Sequence, residues 1–128
     1  MKHLAAAAIV ALLAGGCTAR PAPVQAPPAL PAAAPCAITV TFGSYAMGID
    51  RGAFEAVEKL LARDKGVAGS EQKRWGREGE VTICVQAKSN ADAARLFGEI
   101  KKLFPAKPRG PLTVETLAGA RFEAGATP

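Results

Sequence analysis

The stretch Lys73-Arg74-Trp75-Gly76-Arg77 surrounds the only tryptophan of the chain with three cations. An indole can stack on a sugar ring or a partner side chain, and guanidinium groups beside it can hold carboxylates or phosphates. Lys73, Arg74, Trp75 and Arg77 are therefore the candidate partner-binding residues. The same residues also suit a plainer task, in which Trp75 closes a sheet edge over the core and the charges guard that edge against aggregation. Three carboxylates, Asp50, Glu78 and Glu80, lie near glycine loops. Asp50 is placed to cap a helix, and the two glutamates belong at a turn and a strand start, so none is read as an acid or base. The loop Gly43 to Gly48 could offer backbone N–H groups to an anion. It matches no phosphate-binding spacing, however, and Asp50 would repel such a ligand.

Nucleophile and metal chemistry find little material. The single histidine, His3, precedes an apolar run of eleven residues, Leu4 to Ala14. Such a run suits a secretory signal and falls short of the roughly 20 residues that a membrane-crossing helix needs. Residues 1–16 are read as a signal peptide that takes His3 with it. There is no Cys-x-x-Cys pair, Met47 alone binds nothing, and a serine without a neighbouring base is inert. No catalytic residue, metal or cofactor is expected, and the chain is read as a non-enzyme.

The apolar run ends in Leu13-Ala14-Gly15-Gly16-Cys17. This resembles the lipobox of bacterial membrane lipoproteins, with Ala14 where Leu is commoner and Leu13 one step further out. The resemblance covers residues 1–17. It implies cleavage before Cys17, acyl chains on that residue and anchorage in membrane lipid; the alternative is an ordinary secretory signal cut near Ala19. Thr18 stands where an Asp would resemble an inner-membrane retention signal, which leans toward the outer membrane, facing the periplasm. With Cys17 given to lipid, Cys36 and Cys84 form an even pair in an oxidising compartment. A disulfide is expected between them, with two free buried thiols as the alternative.

Behind Cys17 the segment Thr18 to Pro35 holds six prolines in eighteen residues and one charge, Arg20. It cannot collapse and should run as polyproline II, a linker (17–35) reaching up to about 55 Å; an unstructured leader fits the composition equally well. That leaves one small domain, 36–118, and a tail, 119–128, expected to fray. The formal charge of +5 falls to +4 once Lys2 leaves with the signal. This favours acidic surfaces only mildly and is too weak a pattern for a nucleic-acid partner.

Within the domain, Ile38 to Phe42 and Glu80 to Gln86 alternate apolar and polar residues as half-buried strands do. Between them, Asp50 should cap a helix over Arg51 to Asp64 with a stripe of Phe54, Val57, Leu60 and Leu61, ended by a left-handed Gly66. Val67 to Trp75 is a weaker strand, turning through Gly76 to Gly79 into the stronger one. Ser89 should cap a second helix carrying Ala93, Leu96, Phe97, Ile100, Leu103 and Phe104, stopped by Pro105; a loop with Lys107 and Arg109 leads to a last strand, Leu112 to Leu117. Strand, helix, strand, strand, helix, strand is an α+β order. It predicts a ferredoxin-like βαββαβ sandwich, a four-stranded antiparallel sheet with both helices on one face. The open face should carry Thr39, Thr41, Thr82, Cys84, Gln86, Thr113 and Glu115. Parity then raises an objection to the disulfide, because Cys36 extends the side of Ile38 and Val40 whereas Cys84 is on the other. An irregular start after Pro35 would be needed to swing it across.

That order of elements, and the run from Ile38 into Gly43-Ser44-Tyr45, resemble the opening of SPOR domains, whose members bind peptidoglycan. The function expected is a lipid-anchored envelope protein presenting a small binding or scaffold domain to a cell-wall polymer. The rival is an accessory subunit or inhibitor that docks an envelope protein complex, in the membrane or in secretion, through the basic hairpin at Trp75.

Overall fold

Alternation of Ile38, Val40 and Phe42 with two threonines makes a strand, β1 (Ile38–Phe42), and its three apolar side chains are fully buried. The computed structural model describes Gly16 and residues 34–125. The expectations for Cys17, and for the signal and linker through residue 33, lie outside the described residues. α1 (Arg51–Arg63) begins where the Asp50 carboxylate accepts from the Ala53 N–H at 3.0 Å. β2 (Val67–Trp75) and β3 (Glu80–Ala87) form the hairpin around Gly76 and Gly79, both with positive φ. α2 (Asn90–Leu103) is capped by Ser89, whose hydroxyl accepts from the Asp92 N–H. β4 (Leu112–Thr116) and β5 (Arg121–Ala124) complete the chain.

The sheet is antiparallel throughout, in the order β2-β3-β1-β4-β5. It has five strands, one more than expected. Residues 119–128 were expected to fray, but Arg121–Ala124 pairs with β4, opposing Phe122 to Val114 and Ala124 to Leu112. The turn that permits this runs through Gly119 at φ 95°, closed by the Thr116 N–H donating to the Ala120 carbonyl. Phe122 and Ala124 give the short strand an inward face. Gly66 is a second correction. It does not adopt the left-handed conformation; α1 ends instead at an extended Asp64, whose carboxylate accepts from the Gly66 N–H at 2.8 Å.

Both helices lie on one face and enclose a single core with β1, β3 and β4. Every fully buried side chain there is apolar, and no polar or charged residue is buried among the described residues. Each Ile or Phe taken out of water contributes about 1.5–3 kcal/mol, and the central strands and the two helices share that burial. The helix side of β2 is different. Ser70, Gln72 and Arg74 stand there, paired with Val85, Ile83 and Val81, and Gln72 donates to Glu58 of α1 at 2.5 Å. β2 is thus a polar edge strand, exposed from Ser70 to Trp75.

The disulfide Cys36–Cys84 is formed, with Cα atoms 5.2 Å apart. Parity is broken by a bend at Ala37, whose N–H bonds the Val85 carbonyl before β1 begins, and this brings Cys36 to the Cys84 side. Ahead of it the Ala34 carbonyl accepts from the Gln86 side chain at 3.1 Å. The chain therefore joins the domain at the end of the sheet where β3 finishes.

Candidate functional site

The opposite end of the sheet gathers the residues with free chemistry. Strand pairing fixes where they point. Trp75 opposes Glu80 and Lys73 opposes Thr82, so both stand on the face away from the helices, beside Thr41 and Thr113. Arg74 opposes Val81 and belongs to the helix side, while Arg77 is in the turn. The four candidate binding residues are therefore divided: Lys73 and Trp75 share the open face, Arg77 is at its rim, and Arg74 is behind it. Trp75 donates its indole N–H to the Thr82 hydroxyl at 3.0 Å and remains 44% exposed. It lies on the sheet without being enclosed by it.

Two further apolar side chains belong to this end and had no signal in the sequence beyond their loop. Tyr45 and Met47, in the loop after β1, are 63% and 90% exposed. With Ala46 and Arg109 they line an open hollow of about 410 Å³. Among the described residues, three of the four exposed large hydrophobic side chains thus stand at one end of the sheet; the fourth, Leu117, is at the other.

The carboxylates of this end are turned inward. Glu78, at the tip of the β2–β3 hairpin, accepts from the Ser44 hydroxyl at 2.5 Å and from the Gly48 N–H at 3.2 Å. These bonds, the serine first and the backbone amide second, hold its carboxyl below the usual glutamate range. The N–H that an external anion might have sought in the Gly43–Gly48 loop is occupied by the chain's own glutamate. Glu80 accepts from the Glu78 N–H at 2.9 Å, and Asp50 accepts from the N–H of Arg109 at 3.1 Å besides capping α1. Close backbone packing holds the loops here: a Cβ on Gly110 would collide with the Gly43 carbonyl. Arg77 and Arg109 have no carboxylate partner among the described residues, nor do Lys73, Arg74 and Lys107. The result is an end that is cationic toward solvent, with its acids spent on backbone amides.

The bidentate ion pair lies elsewhere. Arg95 of α2 grips the Asp64 carboxylate at the end of α1 through both nitrogens, at 2.7 and 2.8 Å. That fork, with the Gly66 N–H, lowers the Asp64 pKa to about 2. Among the described residues no group of three or more histidine, cysteine or acidic side chains is placed to hold a metal ion. No protein-family model matches the chain, and no curated protein or solved structure matches it either.

Proposed function

We propose that the chain is an envelope lipoprotein, moored by acyl chains on Cys17 and carrying a non-enzymatic binding domain of ferredoxin-like build on a proline stalk, with the cell wall as its target. The lipobox-like Leu13 to Cys17 and the prolines behind it support the mooring. The order β2-β3-β1-β4 with both helices on one face supports the ferredoxin-like assignment, β5 being an addition at the β4 edge.

One observation carries the binding role. Trp75, Tyr45 and Met47 stand exposed at the end of the sheet opposite the point where the chain joins the domain, as do Arg77 and Arg109, whose side chains have no carboxylate partner among the described residues. Aromatic faces with cations beside them suit a polymer of sugars bearing carboxylates, the sugars stacking and the acids pairing. The outer membrane, facing the periplasm, is the location this reading implies.

The purified full-length protein should be retained on isolated sacculi, and Trp75→Ala should lower the retained fraction tenfold or more with little change in melting temperature. Failure of the wild type to sediment with sacculi overturns the wall as target. Binding to neither sacculi nor anionic vesicles would favour docking of an envelope protein through the same hairpin. Mass spectrometry of the native amino terminus tests the mooring: an acylated Cys17 is expected, and a retained Met1 or an unmodified mature terminus overturns it.

A further inference from the structure

Beyond a register shift between Val67 and Gly69, β2 offers the backbone of Gly69 to Trp75, which no strand among the described residues covers on its outer side. Such an edge presents N–H and C=O groups at alternate positions and is a template for another strand. The order of charges along Gly69-Ser70-Glu71-Gln72-Lys73-Arg74-Trp75 specifies which strand fits. In antiparallel pairing, opposed residues share a face and their side chains meet. If two copies of β2 meet with Gln72 opposite Gln72, Glu71 of each falls opposite Lys73 of the other, so symmetry makes this contact twice. Both residues stand on the open face, and neither has an ion-pair partner of its own among the described residues.

The same register sets Trp75 across from Gly69. A Cβ at Gly69 would meet nothing within 4 Å, so this position sets no side chain in the way of the partner strand. Shifting the centre to Glu71 opposes two glutamates, and shifting it to Lys73 opposes two lysines; like charges directly opposed are unfavourable.

We propose that the protein forms a two-fold symmetric homodimer through β2, in the register centred on Gln72, joining two five-stranded sheets into one of ten strands with all four helices on one side. The contact is isologous, and the charge pattern of β2 is complementary to itself. It stands whether or not Cys17 carries lipid, because its test reads association alone.

Sedimentation equilibrium of the full-length protein in detergent should show a monomer–dimer equilibrium. Glu71→Lys and Lys73→Glu should each weaken it tenfold or more. An equimolar mixture of these two variants should dimerise like the wild type, since each then supplies the charge the other lacks, and the double variant should again self-associate. The mixture also shows that the single variants are folded. A wild type that stays monomeric at all concentrations overturns the proposal. So does a dimer indifferent to the two reversals, or a mixture that associates no better than its parts.

Discussion

The two ends of the sheet hold their loops in different ways. At the end where the chain joins the domain, Cys36–Cys84 ties the lead-in of β1 to β3 across a sequence separation of 48, and the Gln86 side chain adds a hydrogen bond to Ala34. At the other end there is no covalent tie. Phe42 at the close of β1 packs edge-on against Phe54 of α1 and Phe104 beyond α2, with ring centroids 5.2 and 6.3 Å apart, and carboxylates of Glu78, Asp50 and Glu80 pin the loops through backbone amides. One end is closed by a bond that depends on redox conditions, the other by packing and charge. The second arrangement consumes the acids and leaves the arginines outward. The cost of holding those loops without a covalent staple therefore appears on the surface as unbalanced positive charge.

Removing the packing should break the far end most. Phe42→Ala empties a fully buried site between two other rings and is expected to cost about 3–5 kcal/mol, measured by denaturant unfolding. Cys84→Ser removes the staple and is expected to cost about 2–4 kcal/mol, in the manner of a cross-link closing a long loop. Hydrogen exchange should then place the added mobility at Cys36 to Ile38 and leave the Glu78–Gly48 contact protected. If both substitutions loosened both ends equally, the contrast between them would be lost. The smallest effect belongs to the joining end, where Asp64 precedes the start of β2 and that start pairs with the end of β3. The Asp64 carboxyl, held at about pKa 2 by Arg95 and Gly66, is depressed from its ordinary value near 3.8. Its contribution is present above about pH 4 and is lost as the pH falls through the folded value, so acid titration of stability should show a component in that window that Asp64→Asn abolishes.

Much of this architecture was legible because the dominant signals are local. Alternation located β1 and β3, and it named the open-face residues Thr39, Thr41, Thr82 and Cys84, which the strand register places there. Asp50 and Ser89 announced the helix starts, and both cap as expected. β5 was not legible. Four residues with a single phenylalanine give too short a pattern, although Gly119 followed by alternating Arg121, Phe122, Glu123 and Ala124 held a faint hairpin signature. The role of Glu78 was also hidden, because its partner Ser44 is 34 residues away and only the fold brings them together. The disulfide was read correctly from the cysteine count, while strand parity argued against it; a single bend at Ala37, which no propensity announces, reconciles the two.

The position of Cys36 also decides how the domain meets mechanical load. Tension arriving along the residues before Ala34 reaches the sulfur bridge before it reaches the hydrogen bonds of β1, and passes at once into β3. Two neighbouring strands in the interior of the sheet then share the pull, so β1 cannot be drawn out of its place alone. With the bridge reduced, the same tension would fall on the Gln86–Ala34 contact and then on the Ala37–Val85 contact, and open the sheet from that point.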